Sequence, residues 1–253
     1  MKRPVRIAVL ECDTPIDSIR TQYGSYGNIV KQLMQIGLQS LPDADATIEP
    51  IFTSWDVVDA RCYPPPEDID ALVLSGSKYN SFDDSEWILQ LLDFVRTFHE
   101  TARKPIVGIC FGHQIVARAL GGRVQRSPGG WEIAVHTVGL SDRGKKLFGR
   151  DSLQLHQMHR DAVLSLPDGL ENLASSPACG IQGLYLDKRI LTLQAHPEFD
   201  EFIMMSLLEA RHDLGIFDDV VFNEAVPRAA ARHDGSYVSS VIWKFLLDAQ
   251  MKE

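Results

Sequence analysis

Residues 105–120 read PIVGICFGHQIVARAL, and the order of residue types in this run decides the fold. Ile106-Val107-Gly108-Ile109 is a short apolar run that fits a buried strand, while the pattern from Gln114 to Leu120 suits a helix. Between them Cys110 opens a turn. Gly108 and Gly112 lie two residues away on either side, small enough for a close strand-to-helix passage that larger side chains would crowd. A turn of this kind can present the Cys110 sulfur. The N-terminal backbone donors of the next helix would favour the thiolate, and a nearby histidine would accept the proton before attack. Taken alone, the same residues also fit a small buried cysteine in a tight turn, because free cysteine is commonly buried.

The strand, turn and helix rhythm extends in both directions. Upstream, residues 7–10 are a strand candidate and residues 24–38 a helix, despite two early glycines. The stretch Pro64-Pro65-Pro66-Glu67-Asp68 interrupts regular structure before a second buried strand at 71–74, which runs into a tight loop at Ser75-Gly76-Ser77. In residues 86–98, Ile88, Leu91, Leu92, Val95 and Phe98 have spacings that one side of a helix satisfies. Downstream, strands are expected at 133–138 and 153–158, with a brief helical turn at 145–147. A strand at 190–194 leads into Ala195-His196-Pro197-Glu198-Phe199, and helices follow at 202–210 and 237–247. With no internal repeat, this alternation predicts an α/β fold, a mostly parallel central sheet flanked by helices with ligands gathering at strand ends. One domain over residues 1–253 is the economical reading, with residues 200–253 as a C-terminal helical extension packed on it.

Composition narrows the function classes. Of the 253 residues 45% are apolar and 23% charged, the balance of an ordinary globular protein. Acidic residues outnumber Lys and Arg by 34 to 25, and a formal charge of −9 opposes nucleic acid as the principal partner. Cys12, Cys62, Cys110 and Cys179 are sparse and form no CxxC pair, so neither a zinc framework nor a disulfide scaffold is indicated. The chain opens directly on a strand candidate without the longer apolar run of a signal peptide or membrane span. A cytoplasmic protein with no membrane partner is the expectation.

His196-Pro197-Glu198 supplies the second half of a catalytic reading. At a strand end, residues two apart can share a side, so Glu198 can orient His196 while the fold brings His196 to Cys110. An isolated His-x-Glu is more often a packed histidine beside a solvated acid. The two blocks together, GICFGHQ at 108–114 and QAHPEF at 194–199, resemble the signature blocks of class I glutamine amidotransferases, particularly the glutaminase domain of GMP synthase and related gamma-glutamyl peptidases. The resemblance extends roughly over residues 7–199 and implies a flavodoxin-like three-layer fold. It makes Cys110 the nucleophile, His196 the general base and acid, and Glu198 the acid that supports the histidine. It further implies backbone oxyanion donors at Gly76 and Phe111, and substrate contacts at Gln114, Met158 and His159. Trp131-Glu132-Ile133 resembles an acidic-apolar block of the gamma-glutamyl peptidase branch, which places Trp131 and Glu132 at a pocket rim. There a glycine often follows where this chain has Ala134. His113, although nearer to Cys110 in sequence, is not the expected base, because adjacency to a tight elbow does not supply the geometry.

The chemistry implied is hydrolysis of a γ-glutamyl amide, in glutamine, a glutathione-like peptide or another γ-glutamyl conjugate, through a γ-glutamyl thioester. It calls for a small-molecule substrate and no metal or redox cofactor. Too little sequence follows the glutaminase-like region for a complete GMP synthase. Two alternatives stay open: a glutaminase subunit that delivers ammonia to a separate synthetase, and a catalytically weak regulatory or binding homologue.

Overall fold

The first strand of the sheet sets its layering. In the computed structural model, which describes residues 2–41 and 47–250, residues 7–10 lie inside strand β1 (Arg3–Glu11). Ile7, Ala8, Val9 and Leu10 are all fully buried, as expected for a strand covered on both faces. Helices α1 (Asp17–Tyr23) and α2 (Tyr26–Gln39) follow. The helix expected from residue 24 begins at Tyr26, because the Ser25 hydroxyl accepts from the Asn28 N–H and caps it there. Strand β2 (Ile48–Asp56) was not expected from the sequence. It pairs with β1 at the edge of the sheet, where Pro50 and several exposed side chains are tolerated.

The next units match the reading closely. They are β3 (Ala71–Leu74), α3 (Glu86–Thr97) continued by a π-helical turn over Phe98–Ala102, β4 (Ile106–Ile109) and α4 (Phe111–Ala119). The middle of the chain contains β5 (Arg123–Arg126), β6 (Glu132–Leu140), α5 (Asp142–Phe148), β7 (Ser152–His159) and β8 (Asp161–Ser165). Short strands β9 (Glu171–Asn172) and β10 (Ala174–Ser175) precede β11 (Gly183–Leu186) and β12 (Ile190–Leu193). Helices α6 (Glu201–Asp213), α7 (Asp219–Ala229) and α8 (Gly235–Ala249) complete the order.

The central sheet runs β2-β1-β3-β4-β12-β11-β9. Its first five strands are parallel, and β11 and β9 join antiparallel. On one face, Ile7 and Val9 pack with Val30 and Met34 of α2 and with Ile242 and Trp243 of α8. On the other, Ala8 and Leu10 pack with Ile88 and Leu91 of α3 and Ile115 and Val116 of α4. The result is a mostly parallel three-layer α/β/α arrangement. Helix α8 belongs to the central packing: the Trp243 indole donates to the Met34 carbonyl at 2.6 Å and the Ser239 hydroxyl to the Leu33 carbonyl at 2.8 Å. Strands β6 and β7 pair in a separate antiparallel sheet with β10, and β5 pairs with β8. Among the described residues, no helix is long and apolar enough to cross a membrane.

Ala134, within β6, takes φ +64°, a left-handed conformation that costs a residue with a Cβ about 1–2 kcal/mol. Glycine would remove that strain, while the conformational freedom that it adds to the unfolded chain costs roughly 0.5–1 kcal/mol. Ala134→Gly is therefore expected to be neutral or to stabilise by up to about 1 kcal/mol, unlike glycine at an ordinary buried strand position. Equilibrium denaturation checks this, and a loss of more than about 1 kcal/mol would count against the strain.

Candidate active site

The sheet register brings distant motifs together. Strand β4 lies between β3 and β12, with Gly108 opposite Leu74 on one side and Ile109 opposite Leu193 on the other. The residues just beyond these pairs, at the carboxyl ends of the strands, are Ser75-Gly76, Cys110 and Gln194 to His196. Cys110 has φ 50° and ψ −100° and immediately precedes α4. Its N–H donates to the Leu193 carbonyl at 2.8 Å, and its carbonyl accepts from the Gln114 N–H at 3.1 Å. These bonds hold the strained turn. A Cβ on Gly112 would stand 2.6 Å from both the Cβ and the carbonyl oxygen of Leu74, so the start of α4 can approach β3 only with glycine there.

His196 and Glu198 converge on this elbow. The His196 backbone N–H donates to the His156 carbonyl at 2.8 Å, and its ring stacks on Phe199 with centroids 3.9 Å apart. Nδ1 lies 2.8 Å from Glu198 Oε1. A carboxylate accepts, so Nδ1 carries the proton in that bond and Nε2 is left for other chemistry. All three side chains are buried. Burial alone would lower the His196 pKa. The negative charges of Cys110 and Glu198, and the hydrogen bonds that both make to the ring, outweigh it and raise the value to about 10.

Gly76 borders the same ring. A Cβ there would lie 2.7 Å from His196 Cε1 and 3.8 Å from Cys110 Cβ, so only glycine lets the loop after β3 pass this close. The Ser75 hydroxyl fixes the loop by accepting from the Cys12 N–H and donating to the Gly76 carbonyl, both at 2.9 Å. Phe111, the residue after Cys110, opens α4 and stacks its ring on Trp87.

Gln114 is a junction within the wall of the site. Its Oε1 accepts from the Ser81 hydroxyl at 2.9 Å, and its Nε2 donates to the Asp161 carbonyl and to Gln194 Oε1, each at 3.0 Å. Gln194 in turn points Nε2 at the Cys110 sulfur, 3.5 Å away. Met158 and His159, at the end of β7, line the cavity beside Cys110. Trp131 lines it as well, whereas the Glu132 carboxylate is buried behind it, with Oε2 3.1 Å from His159 Nε2 and accepting from Gln182 at 2.7 Å. Burial would raise the Glu132 pKa, but its hydrogen bonds with His159 and Ser176 hold the value low. His113 is turned away from Cys110. Its Nδ1 lies 2.7 Å from the Thr192 hydroxyl, and burial, aided by His159, pushes its pKa down to about 3, leaving it neutral.

The space above the elbow has two compartments. The inner one, about 70 Å³, is lined by Cys110, Phe111, Gln114, Met158 and His159. The outer one, about 340 Å³, is lined by Gly76, His196 and a largely apolar wall. Both contain Met158, Trp131 and Arg211. Gln194 and Arg211 were missed in the sequence. Gln194 carried a signal, since it lies in the block QAHPEF at 194–199, immediately after β12. Arg211 carried none, because its place in α6 shows only an ordinary helical pattern.

Known proteins share both the sequence pattern and the fold. Residues 22–204 match the family model for glutamine amidotransferase class-I. A glutamine amidotransferase-like protein of Schizosaccharomyces pombe is 34% identical over 96% of this chain and 98% of its own length. Gamma-glutamyl peptidase 3 of Arabidopsis thaliana is 25% identical over 97% of this chain and 95% of its own. The crystal structure of a glutamine amidotransferase from Thermotoga maritima superposes with a TM-score of 0.74 at 19% identity, covering 96% of this chain and 98% of that one.

Proposed function

The chain belongs to the class I glutamine amidotransferase family, and from that membership we propose that it hydrolyses γ-glutamyl amide bonds through a Cys110 thioester, acting on γ-glutamyl peptides in preference to free glutamine. The observation that carries this reading is the buried Cys110, His196 and Glu198 set at the strained elbow. His196 takes the Cys110 thiol proton, and the thiolate so formed attacks the γ-carbonyl. Backbone N–H groups of Gly76 and Phe111 stabilise the tetrahedral oxyanion. His196 Nε2 protonates the leaving nitrogen, and the C–N bond breaks to give the thioester and a free amine. Neutral His196 then takes a proton from water, and the hydroxide adds to the thioester. Collapse expels the thiolate and releases glutamate. Glu198 keeps the ring oriented and offsets its charge. Gln114, Met158 and His159 form the glutamyl pocket, with Trp131 at its rim and Glu132 holding His159 from behind.

The preference for peptides is supported by the outer compartment of about 340 Å³ beside His196, space that ammonia as leaving group does not need, and by similarity along nearly the whole chain to a gamma-glutamyl peptidase. The test compares kcat/KM of the purified chain for glutamine, glutathione and γ-glutamyl dipeptides, alone and with candidate synthetases present. Peptides are expected to exceed glutamine under both conditions. Inert peptides combined with glutamine hydrolysis switched on by a synthetase would instead identify an ammonia-delivering subunit.

A further inference from the structure

We infer that Arg211 reads a carboxylate on the leaving group, so that the preferred substrates are γ-glutamyl derivatives of apolar amino acids or peptides with a free carboxyl end. The inference rests on the proposed hydrolase reading and adds the chemistry of the leaving side. Arg211 lines both compartments above Cys110. Among the described residues, its recorded hydrogen bond as donor is to the Leu207 carbonyl at 3.5 Å, the limit of such a contact. Besides His196, three basic side chains line the outer compartment: Lys78, Arg126 and Arg211. Lys78 is paired with Asp13 at 2.8 Å and Arg126 with Asp161 at 2.9 Å. Arg211 has no such carboxylate partner among the described residues; Tyr26, the Cys110 sulfur and Asp13 act on it at longer range, and Asp13, the one carboxylate of these, is already engaged by Lys78. Burial pulls the Arg211 pKa down, so its charge is held there at a cost that an incoming anion would offset.

Which part of a substrate meets this charge follows from the order of the chemistry. The acyl part must lie at Cys110, in the compartment that holds Phe111 and Gln114. The leaving nitrogen must lie within reach of His196, which lines the other compartment. The leaving group therefore extends outward past His196. The walls it meets there are apolar: Ile16, Trp131, Leu207, Leu214 and Ile216. Leu214 is 76% exposed, and a ligand side chain would cover it. An amino acid released as leaving group carries an apolar side chain for these walls and a carboxylate for the guanidinium, which can bind it through two parallel N–H donors.

The test uses the purified full chain with γ-glutamyl-leucine and γ-glutamyl-leucinamide, which differ only in the leaving-group carboxylate. Wild type is expected to favour the acid by about 10- to 100-fold in kcat/KM, the range of a hydrogen bond to a charged group, with the difference falling on KM. In Arg211→Met the acid-to-amide ratio should collapse to about one, and Arg211→Lys should restore part of it. Equal kcat/KM for the two compounds in wild type would overturn the role of Arg211 while leaving γ-glutamyl hydrolysis standing. So would an Arg211→Met enzyme that is slower on both with the ratio preserved, because that is the outcome for a structural residue or for one that reads the glutamyl carboxylate common to both. No turnover of either compound by wild type would overturn the hydrolase reading and this inference with it. If Arg211→Met fails to fold, the wild-type ratio still decides whether the leaving-group carboxylate is read, and the same ratio measured in Arg211→Gln decides whether Arg211 reads it.

Discussion

Cys110→Ala is expected to lower γ-glutamyl turnover by about 10⁴-fold or more, the scale seen when a nucleophile that acts as part of a unit is removed, and to abolish covalent trapping by an electrophilic glutamine analogue. The fold should survive. Cys110 is buried and already holds a Cβ-bearing residue at φ 50°, so alanine brings no new backbone strain and removes only the sulfur. A stability change of about 1 kcal/mol or less is expected, equivalent to a shift of about 2–4 °C in melting temperature for a chain of this size. Mass spectrometry after trapping, with melting curves on the same samples, separates the two effects. Normal trapping and turnover in the variant would sink the assignment of the nucleophile.

Removal of the histidine should be nearly as damaging. On the proposed mechanism His196→Ala deletes the group that takes the thiol proton, protonates the leaving nitrogen and activates water, and a loss of about 10³- to 10⁴-fold in kcat is expected. The pH dependence separates this from a packing role. With the His196 pKa raised to about 10, the wild-type profile should keep the imidazolium well above the usual histidine range and lose activity only as pH approaches 10. The same displacement links to stability. A pKa higher in the folded than in the unfolded chain makes the charged ring stabilising in full below about 6.5, and that contribution is lost as pH rises through about 10. The stability of wild type relative to His196→Ala should therefore decline between pH 7 and pH 10. An alkaline limb near 6.5, or a stability difference that does not change over that window, would show that His196 is not held charged by Cys110 and Glu198.

Local sequence was sufficient where the physics is local. The strands at 71–74 and 106–109 have the expected bounds because each is a short, fully buried apolar run closed by a turn. The elbow was legible because Gly108 and Gly112 flank a cysteine at a strand-to-helix junction; His196 and Glu198 do meet, but across a turn after β12 ends at Leu193 rather than on one side of a strand. The edge strand β2 was not legible, since Pro50 and its exposed polar residues weaken the pattern on which strand reading depends. Strands β5, β9 and β10 escaped for a related reason: they are only two to four residues long and partly exposed, so their own pattern does not specify a partner.

What the tertiary structure alone decided is how these pieces face one another. Pairing of β4 with both β3 and β12 brings Gly76, Cys110, Gln194 and His196 to one place, although 120 positions separate the first from the last. Two neighbours in sequence, Trp131 and Glu132, part company there, one to the cleft and the other to a buried contact with His159. Arg211 comes from α6 to the same cleft without a paired carboxylate among the described residues. Sequence determined the backbone turns and the chemical types at the strand ends, because sterics and side-chain periodicity act within a few residues. Distance, burial and charge pairing depend on strand register and helix packing across the whole chain, and only the folded structure decided those.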